Sequence, residues 1–380
     1  MNINQVAFRY YPASGGVEEY VRRISEALTK KGHKINIFTS YIEEDSSYTK
    51  VKNAPSVHNG VNIRRFRTGV RFKNYTVLPF MLPALLMDST DIIHSHSYMY
   101  FSADAASIAA KLNKKPLVFN PYLADTGPPS LWGRIYRSTL GRMALESDVV
   151  IVISDYEKDL ILKWGYTPKR IEKIPPGIDL CEFDKVNGNI YEKYGAEDKP
   201  KILYAGRLSK SKGVDTLIKA MSLVNKKMPS AELFLAGADF GQEENLKAIA
   251  GEMGLKEKIH FLGKLERSEL VSAFKNADLF AFPSRYEAFG IVLIEAMLAR
   301  TPVIAARNSA IQYVVNEGRT GLLFDTDNSD ELGEKIINLF KNDKEREKLV
   351  ENGYEEVLNN YSWDKTADKF EKVYESIINV

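Results

Sequence analysis

The stretch Ser284-Arg285-Tyr286-Glu287-Ala288-Phe289-Gly290-Ile291-Val292-Leu293-Ile294-Glu295-Ala296 decides how the chain is read. A strand-like apolar run, Leu279-Phe280-Ala281-Phe282, leads into it through Pro283. After the polar turn, residues 290–298 are apolar except for Glu295. An ionised carboxylate on such a helix needs donors, because leaving it unpaired in a low dielectric costs several kcal/mol. A vicinal diol, such as the 2′- and 3′-hydroxyls of a ribose, offers two at once. Gly290 opens the helix, so the amides of Phe289, Gly290, Ile291 and Val292 lie at its positive end, where a phosphate is favoured. Glu287, in the turn, is free to meet a third polar group. The segment therefore suits a nucleotide that carries something hydroxylated.

A chain of 380 residues accommodates two domains of ordinary size. Hydrophobic content of 44% with 27% charged residues is that of a water-soluble globular protein. The net charge of +2 argues against a dedicated nucleic-acid binder. It hides an asymmetry: residues 1–180 hold 24 Lys and Arg against 17 Asp and Glu, and the remainder 28 against 33, so a basic half precedes an acidic one. Residues 1–5 show no secretory pattern and no apolar stretch reaches membrane-spanning length. Cys181 is the sole cysteine, which excludes an intrachain disulfide and fits a reducing compartment. The expectation is a cytoplasmic protein, with the inner face of the membrane as one place for it to work.

In the first half, Val6-Ala7-Phe8 reads as a short strand and residues 11–16 as a loop containing Gly15 and Gly16. Val21, Ile24, Ala27 and Leu28 recur at helical spacing over residues 17–31, and Gly32 ends that helix. Residues 34–39 alternate as the next strand. Strand, Gly-rich loop, helix and strand open a doubly wound α/β domain. The loop lacks a full G-x-G-x-x-G and a suitably placed acid, which disfavours a nicotinamide enzyme. Arg64, Arg65, Arg67, Arg71 and Lys73 precede the apolar segment 75–87. Such a pairing suits peripheral contact with an anionic membrane, or else a strand with exposed arginines followed by a buried helix. The buried helix is the preferred reading of residues 78–87. Asp91-Ile92-Ile93-His94-Ser95-His96 is a strand ending in two histidines, at the end where α/β folds bind ligands. No third ligand at metal spacing accompanies them. Arg134, Arg137 and Arg142 follow on a helix, able to meet phosphate or simply solvated. Residues 149–153 form a buried strand, after which Ser154 caps a helix and Glu157 completes a capping box.

Residues 174–179, Ile-Pro-Pro-Gly-Ile-Asp, read as a hinge. Residues 201–205 open a second α/β domain, joined by the loop 206–213 to a helix over 214–227. Arg207 and Lys212 on that loop suit a diphosphate, the first as a fork and the second as a point charge. Taken alone they fit a solvated basic loop better. Further strands are expected over 231–236, 261–265 and 301–305, and a helix over 361–378. No role is assigned to residues 306–310.

The segment from Pro283 to Glu295, with the Gly-Arg-x(4)-Lys-Gly of residues 206–213, resembles the donor site of retaining glycosyltransferases of the GT-B fold, family 4 or group 1 type. The resemblance spans essentially the whole chain. It implies two Rossmann-like doubly wound α/β domains facing across a cleft: 1–178 on the acceptor side, 179–360 binding the nucleotide sugar, and 361–380 crossing back as a helix. It implies that Glu287 faces the sugar, Glu295 binds the ribose, and Phe289, Gly290, Ile291 and Val292 hold phosphate. Arg207 and Lys212 would neutralise the departing diphosphate, with no metal and no cofactor. Gly15 and Gly16 become the donor-phosphate loop, His96 a contact to the transferred sugar, and Gly263, Lys264 and Leu265 a backbone contact to the base. Loop 120–129 would receive a hydroxylated glycan or lipid-linked acceptor, though the histidine many relatives carry there is absent. His94 is read as supporting. Two rival functions stand beside this one: a nucleotide-sugar epimerase on the same fold, and a binding subunit without turnover.

Overall fold

Strands whose residues are all apolar must be covered on both faces, as Val149–Val152 and Leu279–Phe282 are. The computed structural model describes residues 1–13, 15–44, 48–52, 54–72, 75–123, 125 and 130–378. Lys73 and residues 124 and 126–129 of the expected acceptor loop lie outside the described residues. The chain divides into two compact units, Met1–Gly177 with Trp363–Val380, and Ile178–Ser362.

The first unit is built on strands β1 (Asn2–Val6), β2 (Lys34–Ser40), β3 (Val57–His58), β4 (Val61–Phe66), β5 (Ile92–His96), β6 (Leu117–Asn120), β7 (Val149–Val152) and β8 (Ile171–Lys173). They lie in the order β8-β7-β6-β5-β1-β2-β4-β3, parallel except for the β3–β4 pair. The chain runs outward to one side from β1 and to the other from β5, so those two strands flank the switch point. The helix Gly16–Lys30 buries Tyr20, Val21, Ile24 and Leu28, a stripe at helical period. The C-terminal helix Trp363–Ile378 packs in this unit, with Phe370, Val373 and Tyr374 buried, Tyr20 edge-on to Trp363 and Phe370, and Thr366 Oγ1 donating to Pro175 O at 3.2 Å.

Two local readings change. The first strand is Asn2–Val6 rather than residues 6–8, because Asn4 and Gln5 are buried polar strand residues that mask its apolar pattern. Asn4 donates to Asp88 and accepts from Asn36, while Gln5 donates to Tyr374. The capping box at Ser154 is half formed: Ser154 Oγ accepts from Glu157 N, but the Glu157 carboxylate accepts from Ile153 N and Leu123 N instead of Ser154 N. The buried reading of residues 78–87 fits in part: the helix is Met81–Leu86, and Leu78, Met81, Ala84 and Leu85 join the core beside Phe38 and Ile93, while Phe80 and Met87 are exposed. Among the described residues no helix is long and apolar enough to cross a membrane.

The second unit holds β9 (Lys201–Ala205), β10 (Glu232–Ala236), β11 (Ile259–Gly263), β12 (Leu279–Phe282), β13 (Val303–Arg307) and β14 (Leu322–Asp325). All are parallel, in the order β11-β10-β9-β12-β13-β14. Every residue of β9, β10 and β12 is buried. Phe234, Phe274, Phe280 and Phe282 fill the layers around them, each burial contributing about 1.5–3 kcal/mol. Here the order reverses between β9 and β12. In an open α/β sheet the crevice beyond the carboxyl ends of two such strands is where ligands bind. The loops after β9 and β12 contain, respectively, Arg207 with Lys212 and Glu287 with Gly290.

Candidate active site

The loop after β9 begins at Gly206, whose N–H donates to Ala236 O at 2.9 Å, and continues through Arg207 and a short 3₁₀ turn, Lys210–Lys212. Arg207 is exposed, with Cζ 5.2 Å from the Phe240 ring centre, and makes no ion pair among the described residues. Tyr204 OH donates to Arg207 O at 2.9 Å and fixes the loop to the end of its strand. The burial of that phenol raises its pKa, as does the charge of Glu287, while Arg207 acts the other way, so Tyr204 feels both site charges.

Lys212 is 12% exposed, and its Nζ donates to Glu287 Oε1. The two loops touch because Gly213, at φ 64°, brings its backbone against Pro283. A Cβ there would stand 2.2 Å from Pro283 O, so only glycine fits. Arg285 laces the same junction: its N–H donates to Ser211 O at 2.9 Å, Nη2 to Asp215 at 2.9 Å and Nε to Asp327 at 2.7 Å.

Glu287 is held from a third side, where its N–H donates to Ser309 Oγ at 2.9 Å and its carbonyl accepts from Ala310 N at 3.3 Å. Asn308 Nδ2 donates to Ser284 O at 2.7 Å. Residues 306–310, left without a role in the sequence, thus brace the turn. The only sequence signal was a pair of polar residues directly after a strand. Beyond the turn, Gly290 at φ 89° and ψ 58° starts the helix Ile291–Leu298, and no side chain caps it. Its first amides remain open to an anion. Glu295, one turn inside, is 5% exposed. Burial raises its pKa, and the guanidinium of Arg267, which donates to Oε1, offsets that only in part. Arg267 was not singled out in the sequence, since its partners are distant along the chain.

Gly263 ends β11, where its carbonyl accepts from Gly237 N at 2.7 Å, and Lys264 and Leu265 lead to the helix Arg267–Asn276. Unit 2 therefore gathers Arg207, Lys212, Glu287, Phe289–Val292, Glu295 and residues 263–265 at the carboxyl ends of its strands.

Gly15, Gly16 and His96 belong to unit 1. Gly16 is the first residue of the helix Gly16–Lys30, which no side chain caps; Glu18 in its first turn pairs with Arg9 at 2.7 Å. His96, at the end of β5, is wholly buried, with Nε2 donating to Gln5 Oε1 at 2.6 Å and Nδ1 accepting from Tyr122 OH at 3.0 Å. A sugar contact at His96 would require exchange of one of these bonds. His94 is equally enclosed: Nε2 donates to Asn120 Oδ1 and Nδ1 accepts from Tyr374 OH, both at 2.7 Å. Arg137 stacks on Trp164 at 3.6 Å and Arg142 pairs with Glu146 at 2.7 Å, so both find partners within their own unit. Among the described residues no cluster of three or more His, Cys, Asp or Glu is placed to hold a metal.

Burial lowers the pKa of His94 from 6.5 to about 3, while in the unfolded chain it titrates near the usual value. The folded state therefore refuses a proton that the unfolded state accepts. This contribution to stability is complete above about pH 6.5 and is lost as pH falls toward 3. Glu157, raised to about 7 by burial, and Asp104, raised to about 6 by burial, act oppositely, adding stability as pH falls from about 7 into the carboxylate range. Comparing chemical unfolding of wild type and His94→Gln between pH 7 and 4 separates them: the variant should show the smaller acid loss.

Two family models divide the chain between them, Glycosyltransferase Family 4 over residues 14–182 and Glycosyl transferases group 1 over residues 188–356. The chain is a group 1, family 4 glycosyltransferase of the GT-B fold. This glycosyltransferase is 28% identical over 398 residues to an uncharacterized glycosyltransferase of Methanocaldococcus jannaschii, covering 98% of both chains. It is 26% identical over 391 residues to the D-inositol 3-phosphate glycosyltransferase of Corynebacterium jeikeium, covering 96% of this chain and 92% of that one. The crystal structure of Anabaena HepE in complex with UDP superposes with a TM-score of 0.79 at 19% identity, covering 99% of this chain and 100% of the other.

Proposed function

We propose that this glycosyltransferase moves a hexosyl unit from a nucleotide-diphosphate sugar to a hydroxyl of a glycan or lipid-linked acceptor, with retention of configuration and without a metal ion. The observation that carries the reading is the convergence, at the switch point of unit 2, of two cations, an uncapped helix start and two buried or half-buried carboxylates. Cleavage of the sugar–phosphate bond develops negative charge on the diphosphate. Arg207, Lys212 and the amides from Phe289 to Val292 are the groups to stabilise it, and preorganised donors of this kind supply a large share of catalysis. Glu287, fixed by Lys212 and the Ser309 brace, accepts from a hydroxyl of the hexose. Glu295 accepts from the ribose. His96 contributes a further sugar contact once its Tyr122 bond is exchanged.

Both glutamates are already paired with cations, which leaves the departing phosphate as the base for the acceptor hydroxyl. A proton transfer on the face of departure supports retention. The UDP bound to HepE supports a nucleotide donor for this chain as well.

Thermal-shift screening with UDP-, GDP- and ADP-sugars selects the donor, since a ligand at 100 times its Kd stabilises by about 2.7 kcal/mol. Proton NMR of the product then reads the anomeric configuration. Retention supports the proposal; an inverted product, or a changed sugar nucleotide formed without acceptor, would overturn it. Because Arg207 and Lys212 carry the charge neutralisation, excess EDTA should leave the initial rate within twofold, roughly 0.4 kcal/mol in the barrier. A loss that added Mg²⁺ restores would show that a metal shares that work.

A further inference from the structure

Glu295 lies on the buried face of its helix, where a carboxylate with no cation beside it is costly. The cation it meets is Arg267, the first residue of the helix Arg267–Asn276, through Nη1 to Oε1. The rest of the same guanidinium is forked onto Glu182, with Nε donating to Oε1 at 2.9 Å and Nη2 to Oε2 at 2.7 Å. Glu182 belongs to the helix Leu180–Lys185, and the neighbouring Phe183 ring lies 5.8 Å from the guanidinium carbon. Three helices far apart in sequence thus meet at one planar cation.

A bidentate fork fixes the guanidinium plane as a point contact does not. Held by Glu182 through Nε and Nη2, Arg267 presents Nη1 to Glu295. The engagement is one-sided: Glu295 Oε2 accepts no hydrogen bond among the described residues, although the side chain is only 7% exposed. An oxygen oriented by its partner oxygen's bond and left open is what a pair of adjacent hydroxyls requires.

We propose that Glu182 and Arg267 are positioning residues for the nucleotide ribose: Glu182 sets the guanidinium, and the guanidinium holds Glu295 by Oε1 with Oε2 left to accept from the vicinal diol. The inference rests on the reading of Glu295 as the ribose contact. Arg267 acts through Glu295 and touches no reacting atom. It adds to donor binding a selectivity for ribose over sugars that lack the diol, because a charged acceptor left without its donors is penalised more than a neutral one.

The test is calorimetric titration of the full chain with the best-binding of UDP, GDP and ADP and with its 2′,3′-dideoxy counterpart. Wild type should prefer the ribonucleotide by about tenfold or more, the range for hydrogen bonds to a charged group. Arg267→Ala should lose most of that preference while binding the dideoxy nucleotide within about twofold of wild type, as expected for a group that acts only on the diol. Arg267→Lys should restore part of it, and Glu182→Gln should fall between. In transfer assays the same variants should raise the donor KM more than they lower kcat. Equal weakening of both nucleotides, or no change in either, overturns the positioning role. Glu295→Gln separates this failure from the deeper one: if it abolishes the preference while Arg267→Ala does not, the ribose reading stands and the inference falls. If Glu295→Gln keeps the preference, both fall. Should Arg267→Ala fail to fold by circular dichroism, Arg267→Lys and Glu182→Gln carry the test.

Discussion

Lys212→Ala should lower kcat by about 10²–10³-fold, the cost of removing one preorganised donor from a site of developing negative charge, while the thermal midpoint stays near wild type. The side chain is 12% exposed and sits on a short turn between Ser209 and Gly213, so its ammonium is already oriented when the donor arrives. Its loss removes a positive charge and frees Glu287 from its cation. These two consequences separate in a double-mutant cycle with Glu287→Gln. If Lys212 served only to hold Glu287, the double variant would be no worse than Glu287→Gln alone. If it also stabilises the diphosphate, the double variant should lose at least a further tenfold, roughly 1.4 kcal/mol. Steady-state kinetics at saturating donor decide between them, and a single-variant loss below threefold would remove Lys212 from the chemistry.

Gly213→Ala should show a large stability effect for so small a substitution near the site. The residue adopts φ 64°, and its added methyl would meet Pro283 O at 2.2 Å, a backbone atom with no side-chain freedom to withdraw. Left-handed strain and the forced separation of two loops together should cost about 2–3 kcal/mol, which lowers the thermal midpoint by roughly 4–12 °C for a unit of this size. Because the same contact sets the Lys212–Glu287 pair, activity should fall even at temperatures where the variant is folded. Calorimetry with parallel rate measurements checks both, and a midpoint within 1 °C of wild type would show that the two loops yield at little cost.

The repeating units of the fold were legible because parallel strands are continuous apolar runs and their helices carry a clear stripe. Residues 202–205 and 279–282 are such runs, and each is wholly buried. The first strand was misplaced by four residues at its start, for the opposite reason. Asn4 and Gln5 look like loop residues until Asp88, Asn36, His96 and Tyr374 supply their partners from elsewhere in the chain. Glu157 misled similarly: the spacing from Ser154 matched a capping box, yet Leu123 competes for its carboxylate from a distant loop.

At the candidate site, what could be read was what is contiguous. The turn, the uncapped glycine and the lone carboxylate of residues 284–295 are local features of sequence. Their supports are tertiary. Ser309 reaches Glu287 across 22 positions, Arg267 reaches Glu295 across 28, and Glu182 is 85 positions from Arg267. No periodicity relates such residues, and only the sheet order brings their loops to one end. His96 shows the converse limit, since a strand-end histidine reads the same in sequence whether it is open or, as here, closed by Gln5 and Tyr122.

Diffraction from crystals grown with the preferred nucleotide-diphosphate donor tests the donor site most directly. The diphosphate should lie against Arg207, Lys212 and the first amides of the helix Ile291–Leu298, with the ribose diol within hydrogen-bond distance of Glu295. A donor seated elsewhere, with those two cations and Glu295 making no contact to it, would contradict the proposed function at its root.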